Sequence, residues 1–235
     1  MNPEFFTWLE EHHSNRSKRQ LEDLVQDAGS PEAVAIVAVD LVEGFCSQGA
    51  LASPLIATLV EPSKSFLSEA YNCGIRNFFF PCDSHLPDCP EFSSFPPHCV
   101  ANTEESKIVS SLLELEFSNE FERFDKRSVS SLLGTKLLER LREIEPRTLV
   151  CIGDCTDLCL YHLATGLRFY ANQWNLPWKI VVPENLVATY DLPVAKANEI
   201  GALPHPAELM HKLFLYHMEL SGVEICQLSH SGLEG

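Results

Sequence analysis

The run Ala33-Val34-Ala35-Ile36-Val37-Ala38-Val39, ending on Asp40, decides the fold. A continuous apolar run of this length reads as a strand buried on both faces. Three more runs repeat it: Asn77-Phe78-Phe79-Phe80, Thr148-Leu149-Val150-Cys151-Ile152 and Trp178-Lys179-Ile180-Val181-Val182. Shorter strands are predicted at Glu122-Arg123-Phe124 and Val223-Glu224-Ile225-Cys226. Helical spacing separates these runs, over 55–73 with Gly74 suited to its C-terminal cap, and over 135–141, 157–170, 195–203 and 207–220. Such alternation predicts a three-layer α/β fold, a mostly parallel central sheet flanked by helices on both faces. In folds of this kind ligands bind at the carboxyl ends of the strands. Asp40, Asp83, Lys126 and the loop at Gly153 all fall at or just past predicted strand ends.

Residues 1–30 are polar and acidic and read as a helical lead-in, with a second helix over 17–27. Residues 31–235 read as a single domain, with neither an internal repeat nor a low-complexity linker. No apolar run approaches the roughly 20 residues of a spanning helix. The N-terminus lacks the apolar stretch of a signal peptide. A formal net charge of −16 argues against nucleic acid and anionic membrane surfaces as partners. Nine cysteines, an odd number without a CxxC pair, favour reduced thiols in a cytoplasmic protein over a disulfide framework or a zinc ribbon.

Four segments carry chemistry. Asp83-Ser84-His85 puts a carboxylate and an imidazole on the same side of an extended chain, and His98 follows on the loop Phe95-Pro96-Pro97-His98-Cys99. These three suit a divalent-metal site with open positions, and Glu91 between them is a further ligand candidate, direct or through water. The bland reading is an Asp–His hydrogen bond on a loop. Cys159 falls in the first turn of the helix that follows Gly153-Asp154-Cys155-Thr156-Asp157. Unpaired N–H groups and the helix dipole there lower a thiol pKa and can hold an oxyanion. The alternative is a structural cysteine. Asp40 is a general base or a turn cap, and Lys126 a charge-steadying cation or a solvated lysine. Phe45 and Phe95 are aromatic faces for a flat substrate, or core.

Together these segments resemble the nicotinamidase branch of the isochorismatase-like cysteine hydrolases. The resemblance spans about 36–228 and includes Val39-Asp40 with Phe45, the two metal-site segments, and Asp125-Lys126 with Ser130-Ser131-Leu132-Leu133-Gly134-Thr135. The run from Gly153 to Cys159 and Ala202-Leu203-Pro204-His205-Pro206-Ala207-Glu208-Leu209-Met210 complete it, the last looking most like the plant type. The resemblance implies a Rossmann-like hydrolase fold and a triad of Asp40, Lys126 and Cys159. It implies a metal, zinc or else iron or manganese, on Asp83, His85 and His98, with Glu91 at the place of a variable fourth ligand. It also implies an oxyanion hole from the backbone N–H groups of Cys155 and Cys159, beside a cis peptide between Asp154 and Cys155. Three departures reshape the pocket: Val42 and Glu43 stand where the family often has a glutamine, Phe95 where it often has tryptophan, and Asp154 where it is often apolar.

The expected activity is hydrolysis of nicotinamide to nicotinate and ammonia through a Cys thioester. The metal would position the pyridine ring, with Phe45, Phe95 and Asp154 around the substrate. Another cysteine amidohydrolase acting on a carbamoyl or ureido compound is the alternative, as is a non-catalytic ligand-binding relative. The expected partner is a small molecule, and the sequence leaves a homo-oligomer open.

Overall fold

A computed structural model describes residues 3–229. The chain opens with helix α1 (Pro3–Ser14), strand β1 (Lys18–Gln20) and helix α2 (Leu21–Ala28). Strand β2 (Val34–Val39) leads through two single-turn helices, α3 (Glu43–Cys46) and α4 (Pro54–Ala57), to α5 (Val60–Asn72). Strand β3 (Asn77–Asp83), α6 (Ser110–Leu113), β4 (Phe121–Lys126) and α7 (Leu137–Ile144) follow. The second half runs β5 (Thr148–Asp154), α8 (Cys159–Gln173), β6 (Lys179–Pro183), β7 (Val187–Ala188), α9 (Val194–Ile200), α10 (Ala207–Leu220) and β8 (Glu224–Ser229).

The strands form one sheet in the order β1-β8-β6-β5-β2-β3-β4, with the short β7 on the end of β5, and every ladder among the described residues is parallel. β2 lies between β5 and β3, fully buried along its length. Its side chains alternate between two cores. Val34, Ile36 and Ala38 pack with Leu21 and Leu24 of α2 and Phe66 and Leu67 of α5. Ala35, Val37 and Val39 pack with Leu137 and Leu141 of α7, Leu160 and Leu163 of α8, and Leu215 of α10. A strand with period-2 side chains covered on both sides must be apolar throughout, which is why the run from Ala33 to Val39 lacks polar breaks. Each fully buried aliphatic or aromatic side chain contributes about 1.5–3 kcal/mol.

The order reverses at β2, since β3 and β4 are added on one side and β5, β6 and β8 on the other. This reversal opens the sheet at its carboxyl ends, where Asp40, Asp83, Lys126 and Asp154 stand. Gly153 and Val39 pair in register there. Gly153 has φ +106°, and a Cβ on it would stand 2.0 Å from the carbonyl oxygen of Val39, so no other residue fits.

Local readings change in five places. The segment predicted helical over 17–27 is a strand, Lys18–Gln20, followed by the helix Leu21–Ala28. The strand adds to the sheet edge because its backbone pairs with Gln227–Ser229 of β8, a partner more than 200 residues away in sequence. The helix then starts in a capping box, Gln20 N–H donating to the Asp23 carboxylate. The helix predicted over 55–73 is broken into α4 and α5. The helix placed at 157–170 begins at Cys159 and runs to Gln173, because Asp157 is drawn into tertiary hydrogen bonds. The helix over 195–203 ends at Ile200, capped by Gly201 in the left-handed region. The two-residue β7, too short for any periodicity, was not predicted. No helix among the described residues is long and apolar enough to cross a membrane, and all nine cysteines are free thiols.

Candidate active site

Asp40 leaves β2 with φ +54°, an uncommon backbone turn for a non-glycine residue. The turn aims its carboxylate across the strand ends: Oδ1 accepts a 2.8 Å hydrogen bond from the N–H of Asp83, and Oδ2 lies 2.7 Å from Lys126 Nζ. Asp83 and Lys126 are register partners on β3 and β4. The Lys126 ammonium donates to Asp83 Oδ1 at 2.6 Å, to the Ser128 carbonyl at 3.2 Å and to Cys159 Sγ at 3.4 Å. Asp40 Oδ, Asp83 Oδ and Cys159 Sγ all lie within 4.8 Å of one another. The side chains of Asp40 and Lys126 are completely inaccessible.

Burial dominates the electrostatics. It pushes Asp40 up to about 6, helped by the neighbouring Asp83 charge and opposed by Lys126. Burial by itself would lower Lys126, but Asp40, Asp83 and the Cys159 sulfur raise it well above its ordinary value, so it stays charged. Burial likewise lifts Cys159 well above the usual thiol range, with Lys126 pulling the other way and Asp40 and Asp83 adding to the rise. This corrects the lowered thiol pKa expected from a helix N-terminus. Burial and the two carboxylates outweigh the dipole and favour the protonated thiol, with the Asp40 carboxylate beside it. Burial would raise Asp83 as well, but Lys126 and the two imidazoles draw it well below the carboxylate range.

The second constellation shares Asp83. His85 Nε2 lies 3.4 Å from Asp83 Oδ1, and His98 Nε2 3.6 Å from Asp83 Oδ2, with the imidazole centroids 4.6 Å apart. Paired backbone bonds hold the two segments together: His85 N–H donates to Cys99 O at 3.0 Å and Ala101 N–H to His85 O at 2.8 Å. His98 Nδ1 donates to the Pro96 carbonyl at 2.8 Å, so in the neutral ring it is Nε2, on the Asp83 side, that can offer a lone pair to a cation. His85 Nε2 is buried without a hydrogen-bond partner. An orphaned imidazole nitrogen, a second lone pair and a carboxylate converging within 4.8 Å fit a divalent metal. Glu91 is outside this donor set and stands on the cavity wall. It sits in the single 3-10 turn Pro90–Ser93.

Both constellations floor one cavity of about 790 Å³. Cys159, Cys155, Asp83 and His98 reach its surface, and Phe45, Phe95 and Asp154 line it. The Phe45 and Phe95 rings stand 5.6 and 6.2 Å from that of His98. Asp40, Lys126 and His85 lie beneath, behind the lining. The peptide between Asp154 and Cys155 is cis. Cys159 is the first residue of α8, where N–H groups have no partner within the helix. Asp154 is buried, with Oδ2 unpartnered, and burial beside Asp40 holds it protonated well above its ordinary range.

A family model of the isochorismatase domain matches residues 34–195. The chain belongs to the isochorismatase family. Nicotinamidase 1 of Arabidopsis thaliana is 32% identical to it over 209 residues, covering 82% of this chain and 85% of that protein. The nicotinamidase/pyrazinamidase of Mycobacterium tuberculosis is 26% identical over 180 residues, 71% of this chain and 93% of its own. Among solved structures, the pyrazinamidase/nicotinamidase of Streptococcus mutans superposes with a TM-score of 0.65 at 25% identity, covering 82% of this chain and 99% of that one.

Two residues of this isochorismatase-family site carry no sequence signal. Cys89 Sγ stands 3.4 Å from His85 Nδ1 and so touches the back of an imidazole of the donor set. Tyr190 stacks on His205 in the cavity wall at 3.9 Å between centroids. Neither contact follows from spacing, because each depends on where a loop comes to rest.

Proposed function

We propose that this protein hydrolyses nicotinamide to nicotinate and ammonia through a thioester on Cys159. One observation carries the reading. A carboxylate and an ammonium from two strand ends and a thiol from the start of α8 meet within hydrogen-bond reach, beside a three-residue metal-donor set at the floor of one cavity. The relatives named above support the same substrate class.

The chemistry follows from the charges. Asp40 takes the Cys159 proton as sulfur attacks the amide carbon, so thiolate forms only as it is consumed. The backbone N–H groups of Cys155 and Cys159 receive the oxyanion, each such donor being worth about 2.7–4 kcal/mol in comparable sites. Asp40 returns its proton to the departing ammonia. It then accepts one from the water that cleaves the thioester, and Cys159 recovers its proton. Lys126 stays cationic throughout and keeps the two carboxylates and the transient thiolate from repelling one another. Phe45 and Phe95 flank the ring. A divalent cation held by Asp83, His85 and His98 would supply a Lewis-acidic anchor for the pyridine nitrogen. Two imidazoles and one carboxylate suit zinc first, with iron or manganese as the other choices. Nine free thiols support a reducing, cytosolic setting.

Ammonia release from nicotinamide by the metal-loaded protein is the direct test. Cys159→Ala is expected to abolish release while nicotinamide binding by calorimetry persists. Substantial turnover in that variant would rule out the covalent scheme. Release from a carbamoyl or ureido amide but not from nicotinamide would move the substrate while leaving the machinery in place.

A further inference from the structure

The loop that precedes the nucleophile is gripped from outside by a segment remote in sequence. Thr156 N–H donates to the Ala188 carbonyl at 2.9 Å, and its hydroxyl lies 2.9 Å from His211 Nδ1 on α10. Asp157 Oδ1 accepts from the Thr189 hydroxyl, and Asp157 Oδ2 lies 2.7 Å from His205 Nε2. The other nitrogen of His205, Nδ1, lies 2.7 Å from the Tyr190 carbonyl oxygen. The imidazole stacks on the Tyr190 ring, and its backbone pairs with Leu192 in both directions at 2.8 and 2.9 Å.

The proton count on His205 follows. A carbonyl oxygen only accepts, so Nδ1 carries a proton. The Asp157 carboxylate, 2% exposed, also accepts, so Nε2 carries one too. His205 is therefore an imidazolium, and with Asp157 it forms a buried ion pair joining the cavity wall at 190–205 to the nucleophile loop. Asp191 adds a further negative charge that favours the cation. Asp157 sits between Cys155 and Cys159, whose N–H groups are the oxyanion donors of the reading above.

We propose that Asp157 and His205 are a positioning pair that fixes the N–H groups of Cys155 and Cys159 for the tetrahedral oxyanion. The pair acts through the loop backbone and leaves the thiol's own surroundings unchanged. This rests on the cysteine-hydrolase reading of Cys159 and not on the identity of the amide.

The test uses the full-length, metal-loaded protein and the variants Asp157→Asn, His205→Gln and their combination. In ¹⁵N spectra of the wild type at pH 7, both ring nitrogens of His205 are expected to be protonated, and a singly protonated ring overturns the proposal. With nicotinamide, kcat is expected to fall about 10- to 100-fold in either single variant, less than the loss of a whole donor, with KM within about threefold. The double variant is expected to be no worse than the more damaging single one, the mark of a coupled pair. Alkylation of Cys159 by iodoacetamide, a displacement at saturated carbon with no oxyanion, is expected to stay within about twofold. Unchanged kcat, additive losses, or a parallel fall of alkylation and kcat would each overturn the proposal. Should the wild type not cleave nicotinamide, the substrate reading falls by itself. Amide hydrogen exchange at Cys155 and Cys159 then decides, faster exchange in Asp157→Asn supporting the pair and unchanged exchange refuting it.

Discussion

Lys126 shows how much one buried side chain can hold. Its ammonium contacts Asp40, Asp83 and Cys159 with no access to water, so it neutralises carboxylates from both constellations. Lys126→Met keeps much of the volume and removes the charge. Two buried carboxylates then lack their counter-ion, and a loss of about 3–5 kcal/mol is expected in denaturant unfolding, together with loss of turnover. Asp154 presents the opposite case. Burial lifts its pKa well above 3.8 and its Oδ2 is unpartnered, so the fold favours the neutral acid. For a raised carboxyl the stabilising contribution is complete below about 3.8 and declines as pH rises toward the folded value. Asp154→Asn removes the proton and keeps the shape. The variant is expected to melt above the wild type at pH 7.5 and to converge on it near pH 4; the reverse order would mean that the carboxylate is ionised and paired.

Among the elements, the N-terminal pieces behave as part of the sheet system. β1 pairs with β8, while Leu21 and Leu24 of α2 are fully buried against β2 and β5 in one of the two cores. Leu24→Ala is expected to cost about 2–5 kcal/mol, the range for a buried leucine that leaves a cavity. A chemical-denaturation series checks it, and a cost below 0.5 kcal/mol would mean the lead-in is only loosely attached. The helices were legible where one face carries the whole signal, as in α7 and α10. β1 was not, because three polar residues, Lys18-Arg19-Gln20, carry no strand pattern and take their state from the β8 edge alone.

For the molecule as a whole, a cation on the donor set would couple folding to metal. A cation that binds Asp83, His85 and His98 only in the native state raises the melting temperature with its free concentration. Chelator is expected to lower the melting temperature of the protein as purified, and zinc to restore it in a concentration-dependent way. His98→Ala is expected to abolish that response while keeping the far-ultraviolet spectrum of the fold. A zinc-induced shift of equal size in His98→Ala would mean that the ion sits elsewhere. Asp40, Asp83 and Lys126, the charged groups of the two constellations, are in the interior.

The sequence by itself determined the layer architecture, since strands covered on both faces must be apolar throughout and the helices between them must carry a single apolar face. It also determined which residues stand at strand ends, and so which could meet in a cleft. Tertiary structure alone decided the protonation states and the partners. Burial, with Asp40 and Asp83 arriving from other strands, raises the Cys159 thiol, Glu91 stands on the cavity wall outside the donor set, and His205 finds Asp157 across 48 residues of chain. The reason is physical: local patterns report the burial and hydrogen bonding of the backbone nearby, whereas a pKa or an ion pair depends on charges brought close in space, whose positions in the chain leave no periodicity to read.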